Sequence, residues 1–415
     1  MIPNLMIDGE RLWGTLMETA QFGATAKGGV KRLTLSAEDK QVRDWFVEQA
    51  TALGCTITID EVGNVFARRP GKDPSLAPIA MGSHLDTQPT GGKFDGILGV
   101  LGALEVMRTL HAAGYETNAP IEVVDWANEE GSRFSPAMLA SGVFAGVFTR
   151  DYAWEAKDRD GVAYADALRG IGYLGKETPG AHPLTAYFEL HIEQGPILEA
   201  EGETIGVLTG VQGMRWYDVT VTGQDAHTGA TPMRLRKDAL VGASLVIAGI
   251  EAIAAAHAPD AVASVGTVEV KPQSRNVVPG EVTFTVDLRH PDEAVIDQME
   301  AEFRALLASV LEPRGLGWTE SVFWNSPAVR FDPRLVDCVE RAAAKGGYAR
   351  RRMVSGAGHD AVYLSRVAPT TMIFVPCEGG VSHNEYEDAT PADCAAGAQV
   401  LLDAVLDFDA SLARR

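Results

Sequence analysis

Cysteine is scarce. The chain has four in 415 residues, and Cys55, Cys338, Cys377 and Cys394 are dispersed without a Cys-x-x-Cys pair. That spacing argues against a disulfide framework or a thiolate zinc site and fits small buried hydrophobes in a reducing cytoplasm. Positive charge is also in deficit. The 36 Lys and Arg face 56 Asp and Glu, for a net charge of −20, which weighs against a nucleic-acid partner because phosphate binding draws on clustered cations. A small anionic ligand stays open, since one Arg at contact distance outweighs a diffuse surface field. No stretch offers about 18 uninterrupted apolar residues for a membrane span, and the opening MIPNLMIDGERLWGTL mixes charges into its apolar run as a signal-peptide core would not. Low-complexity tracts and solenoid repeats are missing too.

What is present describes a globular protein. Hydrophobic residues make up 46% and charged residues 22%, and the length exceeds one ordinary core, so two domains are expected. QVRDWFVEQATALG has helical spacing, CTITID and GNVFARR alternate, and PIAMGSH is a short apolar run. A helical FDGILGVLGALEVMRTLHAAG and the strand candidate IEVVDWAN follow. This rhythm predicts an α/β fold with a parallel-rich sheet, in which reactive residues gather where strands end. At 212 the pattern changes. A strand in MRWYDVTVTGQ and a helix from about Pro232 to His257 come first. The pair SVGTVEVKP and GEVTFTVDLRH, a second helix and WTESVFW then read as an inserted split βαβ, α+β unit. The expected division is 1–211 and 328–415 for a first domain and 212–327 for the insert.

Five potential metal ligands are spread along this frame: His84 in GSHLDT, Asp95 in GGKFDG, Glu130 in NEEGSRF, His191 in ELHIEQGP and His383 in VSHNE. None means much alone. An isolated H-x-D is more often a turn pair, Asp95 alone would be a helix cap, EE is commonly an exposed helix start, and a lone His is more often no ligand at all. Together they suit two adjacent divalent ions, with zinc accepting imidazole and carboxylate and a position left open for water. Asp95 would bridge, since a shared anion offsets the repulsion of two neighbouring cations. Asp86, two residues from His84, would orient its ring through the carboxylate. Glu130 is assigned to metal and Glu129 to general base and acid. His111, His182, His257 and His290 lack such surroundings and receive no role.

With these motifs, and with GGVKRLTLS, DAHTGATPM, SRNVVPG, VDLRH and SGAGHDA, nearly the whole chain resembles the dinuclear zinc peptidase-like amidohydrolase superfamily. Within it, the chain is similar to the branch of N-carbamoyl-amino-acid hydrolases, β-ureidopropionases and allantoate amidohydrolases. His at 191, where many peptidases of the superfamily carry a carboxylate, favours that branch. The resemblance implies a zinc-aminopeptidase-like catalytic domain with an inserted ferredoxin-like domain acting as lid and homodimer contact, and two divalent ions per subunit, zinc or alternatively manganese or cobalt. It also implies that His227 is supplied across the dimer to the oxyanion and that Asn276 and Arg289 hold a substrate carboxylate. Gln194, Gly358, His359 and Arg215 are further substrate contacts it suggests. The activity expected is hydrolysis of the ureido C–N bond of an N-carbamoyl-L-amino acid or N-carbamoyl-β-alanine to amino acid, ammonia and carbon dioxide. The competing readings are an allantoate amidohydrolase, a dipeptidase or acylamino-acid deacylase on the same scaffold, and an inactive metal-dependent binding scaffold.

Overall fold

Apolar runs without polar alternation become strands covered on both faces. Ile79–Ser83, Ile121–Asp125, Ala186–Ile192 and Thr370–Val375 are buried at every residue. Ile79–Ser83 pairs in parallel with Ile121–Asp125 and with Ala186–Ile192, and Thr370–Val375 is parallel to Ala186–Ile192. In the computed structural model, which describes residues 4–412, antiparallel strands extend this centre. The order is Thr56–Ile59, Val65–Arg69, Ile121–Asp125, Ile79–Ser83, Ala186–Ile192, Thr370–Val375, Ile205–Val211. The helix Ile97–Ala112 is buried almost throughout, as its all-round apolar sequence requires. It lies on the central strands with the long helix Pro391–Leu412 beside it.

Four strands pointing the same way place their C-terminal ends along one edge. Ser83 leads directly into His84, Asp125 into the segment with Glu129 and Glu130, and Val375 into the loop with His383, while His191 is the penultimate residue of its own strand. Sequence order is thereby converted into proximity.

The chain divides into two compact units, one built from the chain up to Thr209 and from Phe331 onward, the other Gly210–Arg330. The changes of pattern at 212 and 328 lie a few residues inside these limits; residues 1–3 and 413–415 of the expected first domain fall outside the described residues. In the second unit an antiparallel sheet runs in the order Val268–Lys271, Glu281–His290, Gly213–Thr222, Gly317–Ser326. Strict alternation gives it two faces. Tyr217, Val219 and Val221, with Val282, Phe284, Val286 and Leu288, form a core with residues of the helices Ala239–Ala256 and Glu293–Leu311.

The first of those helices starts later than its apolar spacing suggests. Asp238 caps it, its carboxylate accepting the Val241 N–H at 3.1 Å, while Met233–Leu235 is a single 3₁₀ turn. Met233 and Leu235 continue the helical periodicity although both are exposed, which is why periodicity alone overruns the cap. Among the described residues this is the one helix long and apolar enough to cross a membrane, with a mean hydropathy of 2.1. Ala243, Val246 and Ile250 on it belong instead to the unit's core.

Candidate metal centre

The two buried histidines show where their protons sit. His84 Nδ1 is 2.9 Å from the Asp86 carbonyl oxygen and His191 Nδ1 is 2.9 Å from the Ile192 carbonyl oxygen. A carbonyl only accepts, so each Nδ1 carries hydrogen and each Nε2 is the ring atom that would turn its lone pair to a metal ion. Both Nε2 atoms turn toward Asp95 Oδ1, at 3.5 Å from His84 and 3.2 Å from His191. The Gly96 N–H also donates to His191 Nε2 at 3.1 Å. Glycine is required there: φ is +68° and a Cβ would lie 2.3 Å from the His84 ring.

Asp95 looks both ways. Its second oxygen, Oδ2, is 3.5 Å from His383 Nε2, which in turn is 3.5 Å from Glu130 Oε2. Two donor groups result, His84–Asp95–His191 and Asp95–Glu130–His383, with the ligand atoms of each within 4.8 Å of one another. All five residues predicted as ligands are brought together, and Asp95 is common to both groups.

The neighbouring glutamates diverge as their adjacency requires. Glu129 Oε2 lies 3.4 Å from His84 Nε2, whereas Glu130 is gripped by Gln88, whose Nε2 donates to Oε2 at 2.6 Å and whose backbone N–H donates to Oε1 at 3.1 Å. Asp86 acts otherwise than its sequence position suggests. Its carboxylate is 3.9 Å from His84 Nδ1, and its carbonyl makes the ring contact instead. The carboxylate accepts the backbone N–H of Glu129 at 3.2 Å and of Glu130 at 3.3 Å. It therefore fixes the dyad's peptides rather than the imidazole.

These groups fit a pair of cations. Burial works against charge on His84, but Glu129, Asp95 and Asp86 outweigh it and hold its pKa well above the ordinary imidazole range. Burial, with Asp360, Glu130 and Asp95 adding, pushes Glu129 well up; burial and then Asp95 do the same to Glu130. Carboxylates crowded around the two imidazoles leave a site short of positive charge, which protons supply without metal and divalent ions would supply in their place, lowering the carboxylate and imidazole pKa values again.

Gln194 and His359 join this centre, and Gly358 adjoins it. Gln194, at φ +58°, donates from Nε2 to Asp95 Oδ2 at 2.8 Å and approaches His383 Nε2 at 3.3 Å. His359 is buried against the His191 ring, centroids 4.6 Å apart, with Nε2 3.0 Å from Ser355 Oγ. Burial and the adjacent His191 hold it well below the ordinary imidazole range, so it packs as a neutral ring supporting His191. Gly358 precedes the helix Asp360–Leu364 and faces Met138, whose Cε would lie 3.3 Å from an added Cβ.

The remaining expected site residues belong to the unit Gly210–Arg330. His227 and Asn276 are neighbours there: Ala226–His227 pairs with Val277–Val278, and the Thr228 N–H donates to the Asn276 carbonyl at 3.3 Å. His227 Nδ1 accepts the N–H groups of Gly229 and Ala230, each at 3.1 Å, which puts its own proton on Nε2. Arg289 stands on the sheet face away from the core beside Asp287, its Nη2 2.7 Å from Oδ2. Arg215 is on the opposite face, its cross-strand partner being the core residue Leu288. There it is buried among Glu293, Asp297 and Glu300 of the helix Glu293–Leu311. Strand parity thus makes Arg215 a structural cation and removes it from the substrate contacts.

Gln88, Ser382 and Glu387 escape sequence reasoning although each touches the centre. Ser382 Oγ is 3.0 Å from Asp95 Oδ2, and Glu387 accepts from the Phe94 and Asp95 backbones. Their only signal is placement, four residues from His84 in HLDTQ and either side of His383 in SHNEYE.

Known proteins share this organisation. The profile of peptidase family M20/M25/M40 matches residues 80–407. An N-carbamoyl-L-amino-acid amidohydrolase of Rhizobium meliloti is 49% identical over 404 residues, covering 97% of each chain. An allantoate amidohydrolase of Bacillus subtilis is 35% identical over 387 residues, 92% of this chain and 94% of its own. A solved Burkholderia multivorans amidase of the hydantoinase/carbamoylase family superposes with a TM-score of 0.95 at 56% identity, covering 98% of both chains. Sequence and fold agree along almost the full length, and the chain belongs to peptidase family M20/M25/M40, a family of metal-dependent hydrolases.

Proposed function

We propose that this protein hydrolyses the ureido C–N bond of an N-carbamoyl amino acid, releasing amino acid, ammonia and carbon dioxide. The observation that carries the reading is Asp95, one oxygen toward His84 and His191 and the other toward His383, with Glu129 against the same His84 nitrogen. The name of the Rhizobium meliloti relative supports the substrate class. Two divalent ions held by these groups, zinc or else manganese or cobalt, would polarise the ureido carbonyl and acidify water for attack at neutral pH.

The chain's own residues supply the rest. Glu129 takes the proton of the attacking water and returns it to the departing nitrogen. Asp86 holds the peptides of both glutamates while it does so. His227, with its hydrogen on Nε2, is the donor for the developing oxyanion, and Asn276 and Arg289 hold the substrate carboxylate. Gln194 and Gly358 are assigned to the substrate's reacting end.

We also propose a homodimer formed through the unit Gly210–Arg330. Val241 and Leu245 on the helix Ala239–Ala256, and Val262 and Val268 on nearby strands, expose apolar surface that a second copy would cover. Four buried free thiols are in keeping with a cytoplasmic setting.

Parallel assays of ammonia release and of free amino-acid release by the metal-reconstituted protein test the reading. N-carbamoyl-α-amino acids, N-carbamoyl-β-alanine and allantoate are compared with N-acetyl and dipeptide derivatives of the same amino acid. Turnover restricted to ureido compounds is expected; preferred cleavage of acyl or peptide bonds would overturn it. Allantoate as best substrate would select the second reading, which the Bacillus subtilis relative favours.

A further inference from the structure

Glu387 is buried, 1% exposed, and none of the chemistry above uses it. Its Oε1 accepts two backbone N–H groups, Phe94 and Asp95, both at 3.0 Å. Its Oε2 accepts the Ser382 hydroxyl at 2.9 Å. The same hydroxyl oxygen is 3.0 Å from Asp95 Oδ2 and 3.2 Å from Gln194 Nε2. One carboxylate therefore grips Asp95 through its main chain and reaches its side chain through one intervening group.

Glu387 also belongs to the loop that carries His383. Its N–H donates to the Asn384 carbonyl at 3.0 Å, closing a tight turn just after the histidine. His383 has little else to hold it: its side chain is 52% exposed and its backbone sits at φ +54°. Space around Glu387 is sterically exact, since a Cβ on Gly92 would come 2.1 Å from Oε1 and 2.4 Å from the Glu387 Cβ.

We propose that Glu387 is a positioning residue for the second donor group. By fixing the Asp95 backbone and the Ser382–Glu387 loop together, it sets the gap between Asp95 Oδ2 and His383 Nε2, and with it the cation affinity of Asp95–Glu130–His383. The proposal rests on reading that group as a metal site. It requires acceptor atoms in the right places and no negative charge. In Glu387→Gln the amide oxygen can accept both N–H groups while the amide nitrogen donates to Ser382 Oγ, whose hydrogen then turns to Asp95. Glu387→Ala leaves two buried N–H groups without their acceptor and releases the loop.

The test is titration of the metal-freed protein with manganese(II) alone, followed by calorimetry. The unsubstituted protein should take up two ions per chain in two steps. Glu387→Ala should weaken one step by about 10- to 100-fold, the usual cost of losing an outer partner of a ligand, and Glu387→Gln should stay within about threefold. Should Glu387→Ala not fold, Ser382→Ala removes only the relay and should weaken the same step. Both steps at unaltered affinity in the alanine variants would overturn the proposal, as would Glu387→Gln binding as poorly as Glu387→Ala. Uptake of fewer than two ions by the unsubstituted protein would instead refute the dinuclear reading beneath it.

Discussion

Glu129 and Glu130 are consecutive yet meet different partners, one the His84 nitrogen and the other the Gln88 amide. That division predicts separable effects. Glu129→Gln should lower kcat by about 10²- to 10⁴-fold, the range of a lost acid–base group, with metal content by elemental analysis unchanged; near-normal turnover would remove Glu129 from proton transfer. The five candidate ligands are legible in the sequence because His84, Glu130 and His191 lie at or just past the ends of apolar strand runs, and Asp95 and His383 lie in Gly-containing loops where the chain can turn inward. Asp86 is legible as a neighbour of the centre but not in its role. Whether its carbonyl or its carboxylate meets the imidazole depends on side-chain torsions that spacing does not encode. Glu387 is hidden for another reason, being one more acid in an acid-rich chain.

At the level of elements, one residue of strand parity separates two arginines. Arg289→Ala should raise KM by at least about tenfold, as expected when a charged pair to the substrate carboxylate is lost. Arg215→Ala should leave KM close to its original value and lower Tm, because three carboxylates of one helix lose their shared cation. Steady-state kinetics beside thermal melts of both variants check this, and a KM effect confined to Arg215 would contradict the assignment. His182 bridges Glu122, on the strand leading to the glutamate pair, and Glu177, at 3.2 and 2.7 Å. Burial opposes its charge, but the two carboxylates raise its pKa to about 9. A raised folded-state pKa stabilises fully below the unfolded value of about 6.5, and that contribution fades as pH rises through about 9. The Tm difference between the protein and His182→Gln should accordingly be greatest near or below pH 6, decline as pH rises toward about 9 and be largely gone above it; a constant difference would exclude the ion pairs as its source. The parallel strands are readable from unbroken apolar runs, whereas the late start of Ala239–Ala256 is not, since its cap competes with two exposed apolar residues.

For the whole molecule, the insert's exposed apolar residues give a direct check on assembly. Leu245→Glu should shift sedimentation from dimer to monomer without unfolding the unit, because Leu245 lies outside its core; a monomeric unsubstituted protein would remove the dimer, and with it a donor supplied by a second copy. The division into two units is readable as a change from strand–helix alternation to antiparallel pairs. The meeting of His84 with His383 is not, because 299 residues separate them (383 − 84 = 299) and only the shared edge of parallel strands brings them close. That meeting point is Asp95, and the account depends on its serving two cations at once. The most direct measurement is metal content per chain, by elemental analysis, for the reconstituted protein and for Asp95→Ala. Two ions falling to fewer than one is the predicted result; a single ion in the unsubstituted protein, or two retained without Asp95, would contradict it.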